Sequence, residues 1–128
     1  MATKNLTTQG FKDNIFDYEA EQDWEFKGPL PVIIDFYADW CGPCKAVAPV
    51  LEELSKEYEG LVDIYKIDTE KEQELSSLFG IQSIPTFLFI PLTGEPMIQR
   101  GAFGKDVFKE VIEGRLLTKA TEENPGAA

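Results

Sequence analysis

A nearly continuous apolar run leads directly into a Cys-x-x-Cys turn. The run covers Val32–Tyr37 and is interrupted only by Asp35. Such a pattern is typical of a central strand that is buried on both faces. Beyond Cys44, apolar residues recur at helical spacing as far as Gly60, and Pro49 lies inside this helix, where it removes an amide donor. The sequence therefore predicts a strand, a turn that carries both cysteines, and a helix, in that order.

The rest of the chain predicts further alternation of helices and strands. A first helix opens near Thr7 and buries Phe11, Ile15 and Phe16. The later elements, in chain order, are a strand over 61–67, a helix over 70–79 that buries Leu75, Leu78 and Phe79, a strand over 86–90, a strand over 96–100, and a helix over 105–117 with Val107, Phe108, Val111 and Ile112 on one face. This order indicates an α/β fold with a central mixed β-sheet of four or five strands, flanked by helices on both faces.

Length and composition favour a single domain. The chain has 128 residues, and 43% of them are hydrophobic, which is enough for a substantial core. We expect the domain to cover residues 1–118, with an elaborated N-terminal segment over 3–30 and a loose polar tail over 119–128. Residues 17–26 are acidic with interleaved aromatics. Two interpretations of them stay open: a solvated loop whose rings cover the sheet edge, or a surface that contacts a partner.

The charge of the chain limits its partners. With 12 basic and 23 acidic residues, the net charge is −11, so the surface should repel nucleic acid and anionic membranes. No stretch approaches the roughly 18 continuous apolar residues of a membrane helix. The opening residues also lack the apolar run of a secretory signal. Cytoplasm and bacterial periplasm both remain open as locations, because a removed export signal would leave the same start.

Cys41 and Cys44 are the only cysteines of the chain, which contains no histidine. Two thiols alone cannot complete a tetrahedral zinc site, and a disulfide that closes so short a loop contributes little stability. Two thiols at this spacing can instead carry out redox chemistry. One attacks a substrate disulfide to form a mixed disulfide, and the other then releases the substrate as a dithiol. This cycle needs neither metal nor prosthetic group, so we expect no cofactor.

The residues around the cysteines fit this chemistry. Cys41 lies at a helix N-terminus, where free N–H groups and the helix dipole favour a thiolate. Gly42 permits close approach of a substrate backbone, and Pro43 suits the first helical turn. Because Pro43 also removes an amide that could stabilise the thiolate, we expect a less strongly oxidising site than one with a polar spacer. Trp40 can shield the disulfide edge and offers an apolar contact for a substrate chain.

The sequence resembles the thioredoxin family from about residue 32 to residue 117. The stretch 35–45, DFYADWCGPCK, is similar to the active-site motif of the family almost throughout. Ala48 and Pro49 match its kinked helix, and the stretch 80–86, GIQSIPT, matches the loop that carries its cis-proline. The resemblance implies the thioredoxin fold and a dithiol–disulfide oxidoreductase that reduces protein disulfides.

The resemblance also implies catalytic roles. Cys41 would be the exposed nucleophile and Cys44 the buried resolving thiol. Asp35 matches a buried carboxylate beneath the disulfide, and an acid within an apolar strand is costly to bury unless it is protonated or paired. With a raised pKa, Asp35 could accept the proton of Cys44 as that thiol attacks. Lys66 matches the lysine that partners this carboxylate.

A substrate-docking groove follows from the same resemblance. A cis bond before Pro85 would direct the backbone of Ile84 toward the disulfide, where an extended substrate segment could pair with it. Gly101 and Ala102 match the small-residue loop that completes the groove, although an ordinary turn is an equal explanation of Gly101. Tyr37 stands where many relatives carry tryptophan, which we interpret as a packing change.

The implied partners are disulfide-containing protein substrates and a protein electron donor, since the chain has no nucleotide or flavin motif. In cytoplasmic relatives the donor is a thioredoxin reductase, and in exported relatives it is a membrane thiol-transfer protein. We expect a monomer. Two other functions remain open: an extracytoplasmic disulfide oxidase or isomerase, and a binding module without turnover that uses the groove around Trp40, Ile84 and Ala102.

Overall fold

A computed structural model describes residues 3–117 and contains a five-stranded sheet in the order β1-β3-β2-β4-β5. Strands β1, β2 and β3 are mutually parallel, whereas β4 runs antiparallel to β2 and to β5. The elements are β1 (Lys4–Asn5), α1 (Thr8–Asn14), β2 (Val32–Tyr37), α2 (Gly42–Glu57), β3 (Asp63–Asp68), α3 (Gln73–Leu78), β4 (Thr86–Ile90), β5 (Met97–Arg100), α4 (Lys105–Val111) and a π-helical turn (Ile112–Leu116). The expected mixed α/β sheet is confirmed. The tail expected over 119–128 lies outside the described residues.

Helices cover both faces of the sheet because the side chains of β2 alternate between two apolar clusters. Ile33 belongs to the cluster formed with α2 and α4, which includes Leu51 and Phe108. Val32, Ile34 and Phe36 belong to the opposite cluster, formed with α1 and α3. The burial of β2 on both faces accounts for its continuous apolar sequence.

Side-chain hydrogen bonds cap the N-termini of α1 and α2. Thr7 is the N-cap of α1, and its hydroxyl accepts a 2.9 Å hydrogen bond from the amide of Gly10. Glu72, just before α3, accepts hydrogen bonds from the amide and the hydroxyl of Thr8 at 2.8 and 3.0 Å. In α2 the N-cap is Cys41, so the sequence motif itself begins the helix. Each cap satisfies an amide that would otherwise lack a partner.

The predicted core faces of two helices each include one residue that the structure leaves exposed. Leu78 in α3 is 48% exposed, although Leu75 is fully buried and Phe79 packs beside it. At about 100° per residue, positions 75 and 79 share a face from which position 78 is turned away. Val107 in α4 is 42% exposed for the same reason. The buried face of that helix is centred on Phe108 and Ile112.

Several element boundaries also differ from the sequence prediction. β3 begins at Asp63, two residues later than expected, because the chain first turns at Gly60, whose φ is +82°. α3 begins at Gln73 rather than at 70. The last helix changes to π-helical geometry at Ile112. None of the helices in the described range 3–117 is long and apolar enough to cross a membrane.

The aromatic residues of the acidic segment 17–26 pack inward. The rings of Phe16 and Trp24 lie 4.9 Å apart between centroids, and the ring of Tyr18 lies 6.2 Å from that of Phe11. Trp24 and Phe26 are partly buried against the α1–α3 cluster. The segment therefore covers the sheet with its rings and presents its carboxylates to solvent, which supports the interpretation as a covering loop.

Candidate active site

The strand register brings three loops to one edge of the sheet. Because Phe36 of β2 pairs with Thr86 of β4, the end of β2 lies beside the start of β4. Thr86 in turn pairs with Arg100 at the end of β5. The turn that contains Cys41, the loop that contains Pro85, and the loop after β5 therefore lie together. This arrangement follows from β4 being antiparallel to both of its neighbours.

Cys41 and Cys44 form a disulfide with their sulfur atoms 2.22 Å apart. The Cys41 sulfur accepts a 3.1 Å hydrogen bond from the amide of Cys44 in the first turn of α2. Gly42 and Pro43, between the cysteines, are exposed. Both cysteines are 4% exposed, so Cys41 is not the more exposed of the two, contrary to expectation. The reason is that its sulfur is bonded to Cys44 and faces the turn of the helix.

Asp35 is buried beneath the disulfide. It is 1% exposed, and its Oδ1 has no hydrogen-bond partner among the described residues. Burial raises the pKa of Asp35 to about 7, and the positive charge of Lys66 opposes this rise only in part. Asp35 and Cys44 line the same cavity of about 100 Å³, together with Lys45 and Lys66. The cavity thus joins the second cysteine to a carboxylate with an available oxygen.

Lys66 is the register partner of Asp35 on β3. Its ammonium nitrogen lies 4.7 Å from the ring centroid of Tyr37, a distance typical of a cation–π contact. Burial raises the pKa of Tyr37, and the carboxylates of Asp68 and Asp39 add to this effect. The interpretation of Tyr37 as a packing change overlooked this contact. The signal in the sequence is the two-residue spacing of Asp35 and Tyr37, which puts both on one face of β2.

The proposed docking residues lie around the disulfide edge. The Ile84–Pro85 peptide bond is cis, as predicted. The amide of Gly101 donates a 2.9 Å hydrogen bond to the carbonyl of Pro85, and Gly101 has a φ of +97°. Ala102 is exposed, and Ile84 is partly buried. This hydrogen bond connects the loop after β5 to the loop before β4.

Trp40, next to Cys41, is the most exposed large hydrophobic residue in the described range, at 67%. Its indole N–H donates a hydrogen bond to Oε2 of Glu70, which precedes α3. The amide of Glu70 donates in turn to Oδ1 of Asp68 at 2.9 Å. Sequence reasoning missed Glu70, because nothing in the sequence indicates a contact between residues thirty positions apart.

Comparison with known proteins gives a consistent result. A profile of the Thioredoxin family matches residues 4–114. A thioredoxin of Borreliella burgdorferi is 50% identical over 109 residues, which are 85% of this chain and 93% of that protein. A thioredoxin of Synechocystis is 41% identical over 115 residues, which are 90% of this chain and 98% of the other.

Among solved structures, chloroplastic thioredoxin z superimposes with a TM-score of 0.74 at 27% identity, covering 89% of this chain and 94% of the other. The expected thioredoxin fold is therefore confirmed. Together with a cysteine pair that forms a disulfide at a helix N-terminus, these similarities establish the activity class. The chain belongs to the thioredoxin family and is a dithiol–disulfide oxidoreductase.

Proposed function

We propose that the protein reduces disulfides in protein substrates, with Cys41 as the attacking thiol and Cys44 as the resolving thiol. The observation that carries this assignment is the asymmetry of the pair. Cys41 is the N-cap of α2 and accepts the amide hydrogen of Cys44. Cys44, and not Cys41, lines the cavity that contains Asp35. A helix N-terminus stabilises the thiolate that must attack, and a nearby base suits the thiol that must lose its proton later.

The cycle begins with the reduced protein. The Cys41 thiolate attacks one sulfur of the substrate disulfide, so a Cys41–substrate bond forms, the substrate disulfide breaks, and a substrate thiolate leaves. Cys44 then loses its proton and attacks the Cys41 sulfur. The bond between Cys41 and the substrate breaks, and the substrate departs as a dithiol. Two electrons pass to the substrate, and the protein is left as the Cys41–Cys44 disulfide.

Asp35 is the proposed acceptor of the Cys44 proton. Its pKa of about 7 lies near the pH of most cellular compartments, so both of its protonation states are accessible during turnover. The unpartnered Oδ1 offers a site for the proton. Lys66 contributes a positive charge that favours the ionised carboxylate before the transfer.

Substrate docking is proposed along the edge formed by Trp40, Ile84, and the pair Gly101–Ala102. An extended segment of the substrate would form strand-like hydrogen bonds with the backbone of Ile84. Trp40 would supply an apolar contact, and exposed Gly42 and Pro43 leave room for the incoming chain. Backbone pairing of this kind requires no particular side chain from the substrate.

Membership in the family implies a reductase that returns the disulfide to the dithiol. We propose that this donor is either a thioredoxin reductase or a membrane thiol-transfer protein, and that the protein acts as a monomer. The acidic surface, with a net charge of −11, favours a donor with a basic docking face. An equilibrium with glutathione measures the reduction potential. A reducing value supports the reductase assignment, and a strongly oxidising value would favour a disulfide oxidase or isomerase instead.

Trapping with single cysteine variants tests the assignment. The reduced Cys44→Ser and Cys41→Ser proteins are each mixed with insulin and analysed by non-reducing gel and mass spectrometry. Cys44→Ser should accumulate a disulfide-linked complex with insulin, and Cys41→Ser should form none and reduce none. Turnover by Cys41→Ser would refute the mechanism. Equal, non-covalent binding of insulin by both variants would indicate a binding module instead.

A further inference from the structure

Four polar side chains form a block on the side of the sheet that faces α2. Asp35 and Tyr37 are two positions apart on β2 and therefore lie on the same face of the sheet. Their register partners on β3 are Lys66 and Asp68. The residues two positions earlier on both strands belong to the cluster formed with α2, which identifies the face. An acid, a ring, a base and a second acid thus lie next to one another beneath the disulfide.

Within this block the Lys66 ammonium lies over the ring of Tyr37, 4.7 Å from its centroid. Oδ1 of Asp35 has no hydrogen-bond partner within residues 3–117, although Lys66 is directly opposite on the neighbouring strand. The ammonium therefore acts on Oδ1 through its field and not through a hydrogen bond. Partial exclusion of water strengthens both the contact with the ring and that field.

We propose that Tyr37 is a positioning residue, whose ring face holds the Lys66 ammonium beside Asp35 and so keeps that carboxylate able to accept the proton of Cys44. The proposal rests on the proposed role of Asp35 as the base. Without the ring, the flexible and strongly hydrated ammonium would move into solvent. A larger fraction of Asp35 would then be protonated at neutral pH, because a buried carboxylate without a nearby positive charge favours its neutral form.

Other charges surround the site and stay constant when only Tyr37 is changed. Lys45 of α2 and Asp39 of the loop after β2 line the same cavity. Asp68 lies opposite Tyr37 on β3. A comparison of Tyr37 variants therefore isolates the effect of the ring on Lys66 and Asp35.

A double-mutant cycle measures the coupling directly. Carboxyl ¹³C NMR follows the titration of Asp35 in four proteins: the unmodified protein, Tyr37→Leu, Lys66→Met and the double variant. Tyr37→Leu should raise the pKa of Asp35, with an increase of about two- to fivefold in proton affinity, when Lys66 is present. It should have no such effect beside Lys66→Met. Tyr37→Phe, which keeps the ring face, should titrate like the unmodified protein. A change of equal size in both Lys66 backgrounds, or a lowered pKa, would overturn the proposal.

A measurement on the unmodified protein remains informative even if Tyr37→Leu does not fold. Protons on the Lys66 ε-carbon should show an upfield ring-current shift, and Tyr37→Phe should preserve it. Ordinary chemical shifts for these protons would show that the ammonium is not held over the ring, and would refute the proposal. Neither readout depends on catalysis, so a failure of Asp35 as the base would appear separately, in the kinetics of Asp35→Asn.

Discussion

The backbone amide of Gly101 donates a 2.9 Å hydrogen bond to the carbonyl of Pro85, which ties the loop after β5 to the loop before β4. Gly101 has a φ of +97°, and this left-handed conformation sets the direction in which the chain continues to Ala102. A side chain at this position would meet no neighbouring atom, so the restriction comes from the backbone alone. The geometry of the proposed docking edge therefore depends on this glycine.

Gly101→Ala should destabilise the protein by about 1 kcal/mol or more, because alanine does not readily adopt this φ. The KM for a protein disulfide should rise, since the two loops would no longer be held together. Urea unfolding and insulin reduction measure the two effects. Gly114→Ala is a matched control: its added methyl also meets open space, but without a positive φ, so it should be neutral or slightly stabilising. Similar losses in both variants would contradict the prediction.

Glu70→Ala should weaken recognition of protein substrates by releasing the Trp40 indole from its hydrogen bond. We expect the KM for a protein disulfide to increase about two- to tenfold with little change in kcat, because one hydrogen bond no longer fixes the ring. A small disulfide that does not reach Trp40 should be reduced at the normal rate. Glu74→Ala removes a carboxylate that contacts Tyr18 instead, and should leave both KM values unchanged. A similar increase in KM for Glu70→Ala and Glu74→Ala would show that the effect comes from the loss of negative charge and not from the contact with Trp40.

Phe11→Ala should destabilise the protein by about 3–5 kcal/mol, since this fully buried ring packs against Tyr18 and Phe79. The variant would leave a cavity between α1 and the sheet. Leu78→Ala serves as the control, because Leu78 is 48% exposed and should cost less than about 1 kcal/mol. Denaturant unfolding of both variants provides the comparison. A loss of stability in Leu78→Ala larger than that in Phe11→Ala would show that Leu78 belongs to the core, as the sequence pattern predicted.

The central part of the fold could be predicted because short stretches of consecutive residues specify it. The predicted bounds of β2 agree with the structure, since a strand buried on both faces requires a continuous apolar run. The cis bond before Pro85 and the start of α2 at the cysteine turn were likewise recognisable from short motifs. By contrast, β1 has only two residues, both exposed, and forms through its pairing with β3, so no periodicity could reveal it.

The site could be predicted in its residues but only partly in its contacts. Asp35, Lys66 and the two cysteines could be recognised from their positions in the motif, and the structure places all except Cys41 around one cavity. The contact of Lys66 with Tyr37 depends on the register of two strands, which the sequence does not specify. In the oxidised protein Cys41 is as buried as Cys44, which its position in the motif does not specify.

The stability of the oxidised protein should decrease as pH rises from about 4 to about 7. The pKa of Asp35 is raised from 3.8 to about 7, mainly by burial. Over this interval the unfolded chain has already released a proton that the folded state retains, so the stabilising contribution of the protonated acid is full at low pH and is lost as pH rises. The whole difference is on the order of 4 kcal/mol.

Urea unfolding at a series of pH values tests this dependence. Asp35→Asn cannot ionise, so it should gain stability relative to the unmodified protein as pH rises through the interval. Asp13→Asn removes a surface carboxylate and is the control for charge. Parallel pH curves for the unmodified protein and Asp35→Asn would show that the buried carboxyl does not titrate as proposed.

The role of Asp35 as the proton acceptor for Cys44 is tested most directly by timing the two steps of substrate reduction separately. The reduced protein is mixed rapidly with a protein disulfide and quenched with acid, and the mixed disulfide and the final products are quantified by mass spectrometry. In Asp35→Asn, release by Cys44 should slow about a hundredfold, whereas attack by Cys41 should change less than about twofold. Equal slowing of both steps, or an unchanged release step, would contradict the account.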